Sequence, residues 1–175
     1  MSGPWNIHET GIGALIVGAP IPAGLLDDAE QLYFARYIAD GQPFEGFEFN
    51  EPPVTVGIRG PWTSFGATRG LMEPPVERFR QPATKKARAG LPVRVLLVHD
   101  AAVTTAAGVG VGSTLAELEE AHGTTKLRSM PPTLGDDGCS VGVEGMPGVA
   151  FVFRSCDAAR EGEPVVRVDV WSPES

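Results

Sequence analysis

The spacing of apolar residues predicts an amphipathic helix early in the chain. The apolar stripe recurs at intervals of four, seven and eight residues and consists of Leu25, Ala29, Leu32 and Tyr33. Carboxylates at positions 27, 28 and 30 would complement the positive end of the helix dipole. Gly41 would end the helix, because glycine accepts the left-handed conformation of a C-cap. A helix is therefore predicted from about residue 25 to residue 40.

A second helix is predicted in the later half of the chain. Thr114 and Glu117 have the spacing of a capping box, in which the two side chains bond each other's backbone amides. Leu115 and Leu118 supply an apolar stripe, and Gly123 follows as a C-cap.

Between and after these helices the pattern is typical of strands. The predicted strands are Phe44 to Phe49, Val54 to Ile58, Val93 to Val98, Cys139 to Val143, Val149 to Arg154 and Val165 to Trp171. In the last of them, three valines alternate with Arg167, Asp169 and Trp171. Such alternation is typical of an antiparallel sheet with one face in solvent.

Two glycine-rich segments suggest an internal repeat. They are Gly11 to Gly18 and Gly108 to Gly112, and each precedes a predicted helix and β-rich sequence that ends in a Pro-Val motif. The sequence therefore predicts an α+β fold of two tandem helix-plus-antiparallel-sheet repeats, with the helices packed on one face of the sheet. The first repeat would span residues 1–100, with a long irregular insertion at about 60–90, and the second would span residues 101–175.

This arrangement resembles the SmpA/OmlA-like repeat of bacterial outer-membrane lipoproteins, which occurs in tandem in β-lactamase inhibitory protein. The matching residues are Gly110, Gly112, Ser113, Leu115, Leu118 and Gly123, with looser counterparts at Gly13, Gly18, Leu25 and Leu32. The resemblance implies helices on one sheet face, an open face that binds another protein, and no catalysis. Because the inhibitory protein has a disulfide in each repeat and this chain has cysteines in the second half alone, the resemblance is applied to architecture only.

Composition and charge narrow the class of protein. A hydrophobic fraction of 42% is typical of a globular protein, and a net charge of −8 argues against a nucleic-acid partner. No apolar run is long enough to span a membrane, so no membrane insertion is predicted. The first residues lack the features of a signal peptide. We expect a periplasmic or cell-envelope location if a leader has been removed, and a cytoplasmic one otherwise.

Cys139 and Cys156 lie 17 residues apart and allow two interpretations. A disulfide would stabilise the fold by about 3 kcal/mol on a loop-entropy estimate and would imply an oxidising compartment. Two free buried thiols are the alternative.

Motifs that could carry chemistry are weak. Residues 138–142 match G-x-S-x-G around Ser140, but no histidine follows His122, and the sequence after the serine is β-like. The glycines of residues 108–114 lack the lysine of a phosphate-binding loop. The three histidines and two cysteines lack metal-ligand spacing. We therefore predict no enzyme activity, no cofactor and no metal.

A basic run without any acid extends from residue 78 to residue 94. It contains Arg78, Arg80, Lys85, Lys86, Arg88 and Arg94. It is either a solvated loop or a surface for an anionic partner.

The sequence thus predicts a protein-binding module that recognises its partner through an open sheet face. The candidate contact residues are Trp171, Phe47, Phe49 and Trp62. Trp171 is the main candidate, because it lies opposite the valine face of the last strand and exposed aromatics are common binding anchors. The alternative function is a small-molecule or lipid carrier that binds its ligand between helices and sheet. An enzyme of unfamiliar type is a third, weaker possibility.

Overall fold

The computed structural model describes residues 5–26, 32–37, 43–50, 53–59, 77–79, 90–123, 125–129 and 138–171. Its strands are β1 Ile7–His8, β2 Gly11–Ile12, β3 Leu15–Ile16, β4 Leu32–Tyr37, β5 Pro43–Asn50, β6 Pro53–Arg59, β7 Glu77–Phe79, β8 Val95–Val98, β9 Thr125–Ser129, β10 Cys139–Val143, β11 Val149–Phe153 and β12 Arg167–Trp171. Its helices are α1 Ala23–Leu26, α2 Leu115–His122 and α3 Cys156–Arg160.

The strands form two antiparallel sheets. The small sheet has the order β1-β2-β3, and the large sheet has nine strands in the order β7-β4-β5-β6-β8-β12-β11-β10-β9. The large sheet therefore contains one antiparallel meander from each half of the chain, β4-β5-β6 and β9-β10-β11-β12. In the first half β7 adds beside β4 and β8 adds beside β6, and the two halves join where β8 pairs with β12. At this junction Val98 lies opposite Val168, and Val95 lies opposite Trp171. The sheet is continuous across the two halves of the sequence.

One face of the large sheet, the core face, is covered by the small sheet and the helices. The strands contribute alternate residues, such as Phe47, Phe151 and Phe153, each of which is fully buried. Ile12 of the small sheet and Leu118 of α2 belong to the same apolar cluster. Each buried side chain of this size stabilises the fold by roughly 1.5–3 kcal/mol. Burial of this face is therefore the main stabilising term.

The predicted α+β class is wrong. In the described ranges the chain is mostly β, with three short helices. The first predicted helix fails because Leu32–Tyr37 is β4, which pairs with β5 over six positions. Tyr33, Phe34 and Tyr37 favour a strand, and cross-strand pairing with β5 overrides the helical spacing. Ala29 and the predicted C-cap at residues 40–41 lie outside the described residues.

The tandem helix-plus-sheet repeat is wrong for the same reason. What the two glycine-rich segments share is a turn, in which Gly18 and Gly112 have φ of 93° and 94°. The Gly18 N–H donates to the carbonyl of Val93 at 2.7 Å, and the Gly112 N–H donates to that of Val165 at 2.9 Å. In each turn, a glycine with positive φ is therefore hydrogen-bonded to the segment that leads into a central strand. Positive φ favours glycine, so the two sequences look alike.

The second predicted helix is confirmed as α2. The Thr114 hydroxyl accepts from the Glu117 N–H at 3.2 Å, and the Glu117 carboxylate accepts from the Thr114 N–H at 3.3 Å. Gly123 follows as the C-cap, with its N–H donating to the Glu119 carbonyl. Backbone groups at both ends of α2 thus form hydrogen bonds within the local sequence. The N-terminal bonds are those that the capping-box pattern predicts.

Cys139 and Cys156 form a disulfide. It joins β10, where Cys139 is fully buried, to the first residue of α3. Of the two interpretations that the sequence allows, the structure has the bridge. No helix in the described ranges is both long and apolar enough to cross a membrane.

Candidate functional site

The face of the large sheet opposite the core face is called the second face. On β8, β10, β11 and β12 its positions are Val95, Leu97, Arg167, Asp169, Trp171, Ala150, Val152, Ser140 and Gly142. Successive residues of a strand point to opposite faces, so this set follows directly from the register. None of these residues belongs to the apolar core cluster. The second face is therefore a separate environment, and it is the one that carries polar and charged groups.

A buried ion pair lies on β12 at the centre of the second face. The Nε of Arg167 donates to Oδ1 of Asp169 at 2.6 Å, and Nη2 donates to Oδ2 at 2.9 Å. The two side chains are 8% and 0% exposed. Residues two apart on a strand share a face, which brings the guanidinium alongside the carboxylate. Two parallel charge-assisted hydrogen bonds offset part of the cost of burying both charges.

His99 lies next to this pair. One residue beyond the pairing of Val98 with Val168, the same register places His99 opposite Arg167. His99 is still exposed to solvent, yet partial burial is the largest cause that lowers its pKa, and the positive charge of Arg167 lowers the pKa further. The negative charge of Asp169 opposes both effects. The imidazole is therefore held in its neutral form beside the ion pair.

We expect the stability of the protein to depend on His99 below neutral pH. The unfolded chain has a histidine pKa near 6.5, and the folded value is lower, so the unfolded state binds the proton first. Stability is then lost as the pH falls below about 6.5 and through the folded pKa. Urea unfolding at a series of pH values should give a shallower loss between about pH 7 and pH 5 for His99→Gln than for the wild type.

The difference between the two pH profiles isolates His99, because all other titrating groups are common to both proteins. His8→Gln is the matched control, since the His8 ring is hydrogen-bonded to the Gly13 carbonyl at 3.0 Å and lies in the small sheet. Parallel curves for wild type and His99→Gln would contradict the assignment.

The second face is open over β10 and closed over the neighbouring strand β11. Gly142 is exposed, and a Cβ added there would meet no heavy atom within 4 Å. Ser140 on the same strand is half-buried. On the neighbouring strand, Ala150 and Val152 are only 4% and 5% exposed. There is thus an accessible strip along β10, which we call the β10 strip and define as Ser140 and Gly142.

Two cationic residues occupy positions beside the β10 strip, both on the neighbouring strand β9. The register of β9 places Lys126 opposite Gly142 and Arg128 opposite Ser140, which puts both positions on the second face. Across β9 to β12, the second face therefore carries three cations, Lys126, Arg128 and Arg167, and one carboxylate, Asp169. In a chain with a net charge of −8, this region has the opposite charge.

The sequence-predicted contact residues do not lie together. Trp171 is half-buried on the second face, at the end of β12, and its N–H donates to the Gly148 carbonyl at 2.8 Å. Phe47 and Phe49 are 0% and 4% exposed on the core face, where their rings meet edge to face at 6.3 Å. Their assignment as contact residues is corrected, because they stand at the alternate positions of β5 that pack into the core. Trp62 lies outside the described residues.

The remaining candidate motifs of the sequence lie in strands and turns. Ser140 lies inside β10, so no helix follows it as a nucleophile elbow requires. Gly108 and Gly112 adopt positive φ in the turns before α2. In the described ranges no three His, Cys, Asp or Glu residues are placed to share a metal ion. Arg78 is in β7, and Arg94 precedes β8 and is exposed, whereas the rest of the basic run lies outside the described residues.

Sequence reasoning missed the ion pair and the β10 strip. The alternation in the last strand placed Arg167 and Asp169 correctly on one face, but it predicted a solvated one. Opposite charges two residues apart on a strand were the available signal for a pair. Gly142 gave no signal, because an exposed strand glycine cannot be distinguished in the sequence from one that is closely packed.

Comparisons with known proteins show the fold alone. No protein-family model matches the chain, and no match was found among curated proteins. Among solved structures the chain is similar to the crystal structure of the uncharacterized protein yfeY from Escherichia coli, with a TM-score of 0.58 and 13% sequence identity. The match covers 95% of this chain and 99% of that one. The likeness therefore extends over nearly the whole length of both proteins and indicates a shared architecture.

Proposed function

We propose that this protein is a non-enzymatic binding module that recognises another protein through the second face of its large sheet. The observation that carries the proposal is that this face is accessible at the β10 strip and at Trp171, while Ala150 and Val152 of the intervening strand β11 are buried. A surface built on paired strands is rigid, so little binding free energy is spent on ordering this surface when a partner docks.

Trp171 is the proposed anchor of this surface. Its strand is paired on both sides, with β8 and with β11, so the backbone that carries the indole is fixed. Partly exposed tryptophans on rigid elements are enriched among the residues that dominate binding free energy. Val95 lies directly opposite Trp171 and is fully buried, which gives the aromatic ring an apolar support.

The disulfide supports a location outside the reducing cytosol. Disulfides persist in oxidising compartments such as the periplasm and the extracellular space. We therefore place the proposed binding event in the cell envelope or outside the cell.

Trp171→Ala should weaken partner binding by more than about 1 kcal/mol, which is a factor of about five in Kd, while leaving the protein folded. Partners captured by the wild-type protein from an envelope extract would be identified by mass spectrometry, purified and titrated by calorimetry. Val166→Ala is the matched control, because Val166 is 48% exposed and immediately precedes the strand that ends at Trp171. It should leave Kd unchanged.

The β10 strip is tested in the same titration with Gly142→Trp. An added side chain there meets open space, so folding should be retained, whereas a docked partner would be displaced. If Trp171→Ala unfolds the protein, Trp171 belongs to the interior. If both variants fold and bind as the wild type does, the second face is not the recognition surface.

A further inference from the structure

We infer that β9 is the docking edge for an acidic, extended segment of the partner, which adds to the large sheet as a further strand. This inference rests on the proposed function and names the chemistry of the partner. Strand addition supplies affinity through backbone hydrogen bonds, and the alternating side chains supply selectivity.

The topology provides the edge. The large sheet ends at β9, which pairs with β10 at all five of its positions and, within the described ranges, with no other strand. A strand at the end of a sheet directs part of its N–H and C=O groups away from its neighbour. Those groups can form hydrogen bonds with an incoming strand.

The register of β9 specifies what that strand must carry. Leu127 lies opposite Val141, which is fully buried on the core face. Lys126 and Arg128 take the alternate positions, on the second face. Residues directly opposite across a strand pair interact favourably when their charges differ. The complementary segment therefore alternates apolar residues on the core face with carboxylates on the second face.

The surrounding charges favour the same partner. Asp169 is the carboxylate among the second-face residues of β9 to β12, and it is already bonded to Arg167. The exposed Glu117 and Glu120 belong to α2, whose Leu118 packs into the core. They are therefore on the other side of the sheet from the face that an acidic segment would use.

A second copy of this chain is a poorer occupant of the edge. Antiparallel pairing of two β9 strands centred on Leu127 would place Lys126 of each copy opposite Arg128 of the other. Like charges directly opposite destabilise a strand pair. Cations on an edge strand thus oppose self-association and admit an acidic strand.

The test uses a fluorescein-labelled ten-residue peptide of alternating glutamate and valine, titrated with the full-length protein and followed by fluorescence anisotropy. The wild type should bind this peptide, and the same peptide with lysine in place of glutamate should bind at least about 10-fold more weakly. The double substitution Lys126→Glu/Arg128→Glu should reverse that preference. Arg94→Glu is the control for a charge reversal away from β9, because Arg94 is exposed and lies at the entrance to β8. It should leave the preference for the glutamate peptide unchanged.

Strand addition is separated from simple charge attraction by two N-methylated peptides, one methylated at every valine and one at every glutamate. Alternate amides of a strand point to opposite edges. Only one of the two peptides therefore has its methyl groups on the edge that faces β9, and that peptide alone should fail to bind. Both peptides keep the same charge. Equal binding of the two would mean that charge, and not backbone pairing, holds the peptide.

Three results would overturn the inference: no binding of the glutamate–valine peptide to the wild type, no effect of the double substitution, or equal binding of the two methylated peptides. If any of these holds while Trp171→Ala still weakens capture of the natural partner, the proposed function stands and the β9 inference fails. If Trp171→Ala and Gly142→Trp have no effect but the peptide binds as described, the second-face surface fails and the edge remains.

Discussion

Replacing Asp169 by asparagine is expected to lower the free energy of unfolding by about 3–5 kcal/mol. The substitution keeps the volume of the side chain and removes its charge, so the buried Arg167 guanidinium loses the carboxylate that accepts two of its hydrogen bonds. The side chain of Arg167 is 8% exposed, so water cannot replace the lost partner. Urea unfolding followed by circular dichroism at pH 8, where His99 is neutral in both states, measures the change.

The matched control is the ion pair between Arg154 and Glu163. Its closest nitrogen–oxygen distance is also 2.6 Å, but its side chains are 67% and 44% exposed. Solvent screens such a pair, so Glu163→Gln should change the stability far less than Asp169→Asn does. The two substitutions therefore compare a buried ion pair with an exposed one at the same nitrogen–oxygen distance. Equal effects would show that the central pair is reached by water.

A double variant separates the cost of breaking the pair on one side from the value of the intact pair. Arg167→Met/Asp169→Leu replaces both charges by apolar groups of similar size, and such replacements are often neutral or stabilising. It should be more stable than Asp169→Asn. If it also binds the partner normally, the pair is structural, whereas weakened binding would assign it a part in shaping the second face.

Local signals in the sequence predicted the elements that they fully determine. The capping box at Thr114 and Glu117 specified the start of α2, because its hydrogen bonds lie within four residues. β10 was predicted because its alternation matches the face that it buries, and β11 because it is a short apolar run between turn residues. β12 was predicted from its alternation, although both of its faces are buried. Leu32–Tyr37 was not, since its spacing suits a helix and the pairing with β5 that decides the outcome is tertiary.

The candidate site was predicted less well than the strands that carry it. The period-two alternation of a strand placed Trp171 on the face opposite the valines, and in the structure Trp171 is half-buried on that second face. The same rule could not say which of the two faces is buried. Phe47 and Phe49 were therefore taken for surface residues although both pack into the core. The β10 strip depends on the order of strands in the sheet, which local pattern does not encode.

Removal of the disulfide is expected to cost about 3 kcal/mol. The bridge closes a loop with a sequence separation of 17, and cross-links of that length lower the entropy of the unfolded chain by about this amount. Cys139→Ala/Cys156→Ser is the suitable variant, because Cys139 is fully buried and a hydroxyl there would add its own desolvation cost. Chemical unfolding of this variant and of the oxidised wild type measures the difference.

Wild-type protein unfolded in the presence of dithiothreitol is the control for the substitution itself. It should reproduce the stability of the double variant, since reduction and substitution both release α3 from β10. Because α3 and α2 both contact β9, the loss of this tie should also loosen the edge strand. Hydrogen exchange in β9 is then expected to rise more than exchange in β6, which lies in the other meander. Equal protection of β9 with and without the bridge would show that the strand is held by its pairing with β10 alone.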